Sequence, residues 1–302
     1  MAPVDAPTLP PDAGPAKQPY LDIAGRTDRG LVRKANEDAF LITELNRRMN
    51  VLHSSLPAAD LDWLTSSSAG TVLVVADGMG GQGGGHVASR VAVRSITDYV
   101  CSVMPWASRH AQEVETSPRA TLPGVRDQLS TALVAGNTEV RQAAGLPGAS
   151  PNMGTTLTLA YILWPRMYVA HAGDSRCYLL RHNLLSCLTT DHTVAEQMRA
   201  QGFPALEASS PLHHILWNAL GTSEDEMVPE MQKQQLEAGD IILLCTDGLT
   251  KHVDEDEITN ILANTDTSEE ACDLLIERTV AGGASDNVTV VVARVPPEPT
   301  PD

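Results

Sequence analysis

The sequence predicts an α+β fold in which sheets are covered by helices, and three observations carry that expectation. Apolar, β-branched segments bounded by Gly, Asp or Pro come in runs. Segments with a 3.6-residue apolar period stand in blocks between those runs, and not one after every strand as a doubly wound parallel sheet requires. Hydrophobic residues make up 42% of the 302-residue chain and charged residues 20%, an ordinary globular composition with enough length for a large core.

In chain order, residues 1–19 hold six prolines and little that could pack, so they read as a disordered Pro/Ala-rich leader. Leu21–Arg26 and Ala39–Thr43 are expected strands, followed by Thr71–Ala76, an apolar run stopped by Asp77. His86–Val103 carries apolar residues at Ala88, Ala92, Ile96, Tyr99 and Val103, and 125–144 at Val125, Leu129, Leu133, Gly136 and Val140; both read as helices. The stretches 45–70 and 105–124, the second broken by Pro105, Pro118 and Pro123, read as surface insertions. Strands are expected again at Thr155–Leu163, Met167–Ala172, Cys177–Leu180, Asp240–Cys245 and Val288–Val295. Helices are expected to start near Asp254 and after Ser268, where Asp256, Glu257, Glu269 and Glu270 favour the positive end of a helix dipole. Residues 20–295 read as one domain and 296–302 as a short tail.

With 21 Lys and Arg against 38 Asp and Glu, the formal net charge is −17, which argues against a nucleic-acid or anionic-membrane surface. Five scattered cysteines without a C-x-x-C pair make neither a disulfide framework nor a zinc site. No stretch reaches the ~18 apolar residues of a membrane span, and the first residues lack a signal-peptide pattern, so a cytoplasmic location is expected.

Gly78-Met79-Gly80-Gly81-Gln82-Gly83 satisfies the dinucleotide-binding spacing after a strand and before a helix, with Asp98 twenty residues on. Asp77 would aim a carboxylate at the pyrophosphate, and Asp98 falls inside a helical pattern instead of ending a second strand. A nicotinamide-dependent oxidoreductase therefore rests on a weak turn alone.

Carboxylates at strand ends are more informative. Asp77, Asp174 and Asp247 each follow an apolar strand, and Asp286 precedes one. Singly each is an ordinary turn residue; packed together they would repel one another unless hard divalent cations lay between them. Oxygen-only ligation suits Mg²⁺ or Mn²⁺. Arg33, in the charged stretch Arg26–Asp38, offers a guanidinium that can bind two phosphate oxygens at once.

Seven motifs in order then resemble the metal-dependent, type 2C serine/threonine protein phosphatases, especially their bacterial members, over about residues 21–295. They are Gly30-x-x-Arg33-x-x-Asn36-Glu37-Asp38, Ala76-Asp77-Gly78-Met79-Gly80-Gly81, Met153-Gly154-Thr155-Thr156, Ala172-Gly173-Asp174-Ser175-Arg176, Thr190-Asp191-His192-Thr193, Cys245-Thr246-Asp247-Gly248-Leu249 and Ser285-Asp286-Asn287. The resemblance implies a four-layer α/β/β/α sandwich, two antiparallel sheets flanked by helices, with a metal cleft at one edge. It implies that Asp77 bridges two catalytic metals and that the Gly78 carbonyl, Asp247 and Asp286 are further ligands. Asp174, sharing with Asp247, matches a third, weaker metal position. Glu37 and Asp38 match residues acting mainly through metal-bound water, and Arg33 the phosphate-holding arginine.

The implied reaction is in-line attack of a metal-bridging water on phosphoserine or phosphothreonine, opposing a cognate kinase, by a monomer. Cys245 lacks the C-x₅-R loop of cysteine phosphatases and is expected to pack in the core. Met79 stands where many eukaryotic relatives carry a proton-donating histidine, so the proton must come from elsewhere, either metal-bound water or, on residue type alone, His86 or His192, each of which is otherwise a structural histidine. Residues 193–222 match the family's variable flap, where His213, His214 and Trp217 either touch substrate or anchor the flap. The alternative function is a catalytically silent, phosphatase-like binding module.

Overall fold

A computed structural model describes residues 20–47, 68–81, 83–113, 124–207, 210–221 and 227–297. The expected leader and most of the tail and the two insertions lie outside the described residues. The described elements begin with β1 (Asp22–Asp28), β2 (Ala39–Arg47), β3 (Ser68–Ala76), β4 (Gly78–Met79), α1 (Gly84–Glu113) and α2 (Val125–Ala144). Next come β5 (Gly154–Thr155), β6 (Leu157–Leu163), β7 (Arg166–Ala172), β8 (Arg176–Arg181), β9 (Leu184–Cys187) and α3 (Val194–Ala200). The chain closes with β10 (Glu230–Gln235), β11 (Ile241–Cys245), α4 (Asp247–Thr250), α5 (Glu255–Asn264), α6 (Ser268–Ala281) and β12 (Val288–Arg294).

The strands form two five-stranded antiparallel sheets, in the orders β1-β12-β11-β8-β9 and β10-β7-β6-β3-β2. Two-residue alternation builds three cores between four layers. Along β3, Val72, Val74 and Ala76 meet Ala88, Ala92 and Ile96 of α1 and Leu129 and Leu133 of α2. The intervening Leu73 and Val75 face the other sheet, joining Ile242, Leu244, Val291 and Ala293. On the far side of that sheet, Leu243, Cys245, Val290 and Val292 pack on Ile258 and Leu262 of α5 and Leu275 of α6. Both faces of the central strands are covered, which is why they read as continuous apolar runs although the sheets are antiparallel. The α/β/β/α expectation is borne out.

Several boundaries differ from the sequence expectation. The first helix continues ten residues beyond Val103, through Pro105, so 105–113 is helix and not loop. A proline removes one backbone bond and kinks a helix, and helical structure can resume beyond it. The described ends of 45–70 likewise belong to β2 and β3. Thr155–Leu163 is broken at Thr156, β5 pairing with β4 while β6 pairs with β3 and β7. Strand β10, Glu-Met-Gln-Lys-Gln-Gln, gave no apolar signal because it is a sheet edge bonded to β7 alone. The helix near Asp254 starts as expected, the Asp254 carboxylate accepting from Glu257 N–H at 2.8 Å, whereas α6 starts one residue earlier than expected, with Thr267 as its cap in place of Ser268.

The registers bring the functional loops to one end of the sandwich. Ala39 is opposite Ala76, Val75 opposite Thr158, and Leu157 opposite Ala172. One step further, Asp38, Asp77, Thr156 and Gly173 lie in a row across one sheet. In the other sheet Cys245 pairs with Val290, which sets Asp247 beside the start of β12, where Asp286 and Asn287 enter.

Candidate metal centre

Five carboxylates converge where the strands end. Asp77 is surrounded by Asp38, Asp247, Asp174 and Asp286, and burial together with those four charges pushes its pKa well above the usual carboxylate range. Burial, with Asp247 and Asp286 nearby, raises Asp38 to about 7 although two hydroxyls bond it. Asp174 is likewise raised to about 7, by burial and then by Asp247 and Asp191.

Local bonding fixes each group. Thr246 Oγ1 and Thr289 Oγ1 donate to Asp38 Oδ2 at 3.0 and 2.7 Å. The Asp77 N–H donates to Thr156 Oγ1 at 2.9 Å, while the Asp77 carbonyl accepts from Thr156 N–H and Thr155 Oγ1. Asn287 Oδ1 accepts the Glu37 N–H at 2.9 Å, and Ser89 Oγ donates to the Glu37 carbonyl at 2.7 Å. Close backbone approach demands glycine at Gly78, where an added Cβ would lie 2.1 Å from the Gly85 carbonyl oxygen and 2.6 Å from that of Glu37. Among the described residues, Asp38 Oδ1 and Asp247 Oδ1 are buried carboxylate oxygens without a hydrogen-bond partner.

Two cations share Asp286. Arg33 grips it in a fork, Nε to Oδ1 at 2.7 Å and a terminal nitrogen to Oδ2 at 2.8 Å, and Lys251 Nζ reaches Oδ2 at 2.9 Å. Burial opposes ionisation of Asp286, but these bonds more than offset it and hold its pKa below the usual range. Lys251 also reaches Asp247 Oδ2 at 2.6 Å. Sequence reading missed Lys251; its position four residues after Asp247, on one helical turn, was the available signal.

The glycine run behaves as the carboxylate reading requires. Gly78 pairs with Thr155 in a two-residue ladder, and Asp98 sits within α1 with its carboxylate 3.7 Å from Arg94. Cys245 is fully buried, and burial pushes its thiol up, which suits core packing.

A second polar cluster, His171, His192 and Glu230, gathers its ligand-type atoms within 4.8 Å, but the imidazole nitrogens already have partners. His171 Nε2–H donates to the Thr190 carbonyl at 3.1 Å, and its Nδ1 takes the Thr158 hydroxyl at 2.8 Å. His192 Nδ1 accepts from Gly173 N–H at 3.1 Å and from Asn218 Nδ2 at 2.8 Å, so its proton is on Nε2, 3.4 Å from Glu230. The Trp217 ring lies 4.9 Å from that of His192, and Trp217 N–H donates to the His192 carbonyl, which favours the anchoring reading of Trp217. His213 and His214 instead line a cavity of about 350 Å³ that Asp174, Asp247 and Lys251 also line.

Comparison with known proteins identifies the family. The family model described as Protein phosphatase 2C matches residues 51–279. A serine/threonine phosphatase, stp, of Listeria monocytogenes is 32% identical over 269 residues, 88% of this chain and 93% of that protein. The crystal structure of the Mycobacterium tuberculosis serine/threonine phosphatase PstP/Ppp superposes with a TM-score of 0.69 at 29% identity, covering 91% of this chain and 99% of that one. The catalytic domain of PstP in complex with two manganese ions gives a TM-score of 0.67 at 30% identity, covering 91% and 98%. These relatives support turnover and not the silent-module alternative. The chain belongs to the protein phosphatase 2C family and is a metal-dependent serine/threonine protein phosphatase that uses Mn²⁺ or Mg²⁺.

Proposed function

We propose that Asp77, the Gly78 carbonyl, Asp247 and Asp286 hold two divalent ions, that Asp174 and Asp247 offer a third, weaker position, and that Arg33, Glu37 and Asp38 complete the site. The observation that carries this reading is the crowding of five aspartates at one sandwich edge, with Asp38 Oδ1 and Asp247 Oδ1 buried and unpartnered. An all-oxygen donor set of this charge fits hard ions such as Mn²⁺ and Mg²⁺. Bound there, the ions supply an activated water for in-line attack on phosphorus and positive charge for the departing oxygen.

The chain's own groups do the rest. Thr246 and Thr289 hold Asp38 by one oxygen and leave the other facing the cluster. Arg33, 54% exposed and already forked on a carboxylate, has the geometry to bind two phosphate oxygens once Asp286 is engaged elsewhere. His192 is committed to Gly173, Asn218 and Glu230 and does not serve as the leaving-group acid. The cavity between α3 and the aspartates seats the residues flanking the phosphorylated Ser or Thr.

The catalytic unit spans 20–295, with a flap at about 193–222, and acts as a monomer opposing a cognate Ser/Thr kinase. Exposed large apolar side chains are scattered over separate elements, which supports the monomer. Five free thiols support a reducing, cytoplasmic setting, and among the described residues no helix is long and apolar enough to cross a membrane.

The test is hydrolysis of a phosphothreonine peptide with Mn²⁺, with EDTA, and by Asp286→Ala. Turnover that requires Mn²⁺ and drops at least about a hundredfold in the variant, roughly 2.7 kcal/mol of barrier, is expected. EDTA-resistant turnover would overturn the reading.

A further inference from the structure

Lys251 is a cation that the ligand set does not call for. It stands in the turn that follows Asp247–Thr250, four residues after Asp247, so its side chain rises beside that carboxylate. Its ammonium lies 2.6 Å from Asp247 Oδ2 and 2.9 Å from Asp286 Oδ2, and the side chain is only 26% exposed. These are two of the carboxylates assigned above to divalent ions, and Arg33 occupies the remaining side of Asp286. Asp247 keeps Oδ1 unpartnered, but both Asp286 oxygens are held, Oδ1 by Arg33 and Oδ2 by Arg33 and Lys251, so a divalent ion ligated there at about 2.1 Å sets two positive charges within ~4 Å of each other unless the ammonium moves. At an effective dielectric of ~20 that repulsion is on the scale of a whole ligand bond.

We propose that Lys251 is an internal counter-ion that competes with the divalent metal for Asp247 and Asp286, so that metal binding displaces its ammonium. The inference rests on the reading of those two aspartates as metal ligands. The fold provides a destination, because Lys251 also lines the cavity of about 350 Å³ shared with His213 and His214. The other cations on that wall are already engaged: Arg176 forks on Asp191 at 2.7–2.8 Å, and Arg199 pairs with Glu196. A displaced Lys251 ammonium is therefore available to a substrate peptide exactly when metal is present, while without metal it offsets charge that would strain the cluster.

The competition makes opposite predictions for two measurements. Mn²⁺ binding is followed by titration calorimetry on the full chain after chelator removal, and thermal unfolding is recorded in EDTA and in saturating Mn²⁺. Lys251→Met, which keeps the apolar stem and loses the charge, is expected to bind Mn²⁺ about tenfold tighter. In EDTA it is expected to melt several degrees lower, the two proteins converging in saturating Mn²⁺. Lys251→Gln, more tolerant of a polar site, is expected to shift both quantities in the same directions, and Lys251→Arg to stay near wild type. Equal or weaker Mn²⁺ binding by the neutral variants, with the wild type binding normally, overturns this inference alone. Absence of Mn²⁺ uptake by wild type and variants alike overturns it together with the metal-centre reading.

Discussion

At Gly248 an added Cβ would lie 1.9 Å from the Asn287 carbonyl oxygen and 3.2 Å from Val288 Cα. Gly248→Ala must therefore part the Asp247 turn from the start of β12, the two segments that present Asp247 and Asp286. A loss of about 2 kcal/mol or more in urea unfolding, with most of the Mn²⁺-dependent turnover, is the expected outcome; unchanged stability would contradict the packing. Asp38→Asn separates fold from chemistry. An amide oxygen can still accept from Thr246 and Thr289, so the chelated protein should unfold at no lower urea concentration, while turnover falls at least tenfold because the buried oxygen has lost its charge. Arg33→Lys tests the fork: an ammonium cannot make the two parallel bonds, and KM for a phosphothreonine peptide should rise about tenfold. Asp77, Asp174, Asp247 and Asp286 were legible as candidates from their strand-end positions alone. Their convergence was expected only through the family resemblance, and Lys251 not at all, because both depend on which strand ends share an edge.

The described part of the segment proposed above as a flap is held in place by hydrogen bonds. Its first turn, α3, is capped by Thr193, whose side chain accepts the Glu196 N–H, and its return strand segment bonds back through Val194 N–H to the Ile215 carbonyl. The Trp217 ring lies tilted against that of His192, and Asn218 bridges His192 to the Val228 backbone at 2.8 and 3.1 Å. The flap is thus pinned through His192 to Gly173, the residue before Asp174. Trp217→Ala should loosen that pin. KM for a phosphoprotein is expected to change several-fold while turnover of a small aryl phosphate stays within about twofold; equal effects on both would refute a flap role. Sequence reading found the segment only through the family resemblance, since a seven-residue helix and a single isolated bridge between Thr193 and Leu216 carry too little periodicity to stand out.

At the scale of the whole molecule, the buried histidine post links stability to pH. Burial, and then the neighbouring His192, push His171 down to about 4 from the ordinary 6.5. Between those values the unfolded chain binds a proton that the folded chain refuses, so folding free energy falls as pH drops through the window. Burial opposes ionisation of Glu230, yet its bonds to His192 and Thr190 hold it at about 2, so its contribution survives until more acid conditions. Asp38 and Asp174, raised to about 7, act in the opposite sense over much of that range. The difference between wild type and His171→Gln isolates the histidine. The wild type is expected to lose up to about 3 kcal/mol more than the variant between pH 7 and pH 4, read from urea midpoints at fixed Mn²⁺. Parallel pH dependences would show that His171 stays neutral for no energetic reason of its own.

Local chemistry was enough to determine the central strands, since apolar runs such as Val72–Val75 and Ile241–Leu244 are buried on both faces wherever they pair. It was also enough for the helix start at Asp254 and, to within one residue, for that at Thr267, where a side chain satisfies an N–H of the first turn. The type of donor, oxygen and acidic, could likewise be read residue by residue. Only the tertiary structure decided which aspartates meet, because that is set by strand registers linking residues more than two hundred positions apart, as in the bond from Thr289 to Asp38. It also decided that Arg33 and Lys251 crowd the same carboxylate, a matter of distance through space that no spacing along the chain encodes.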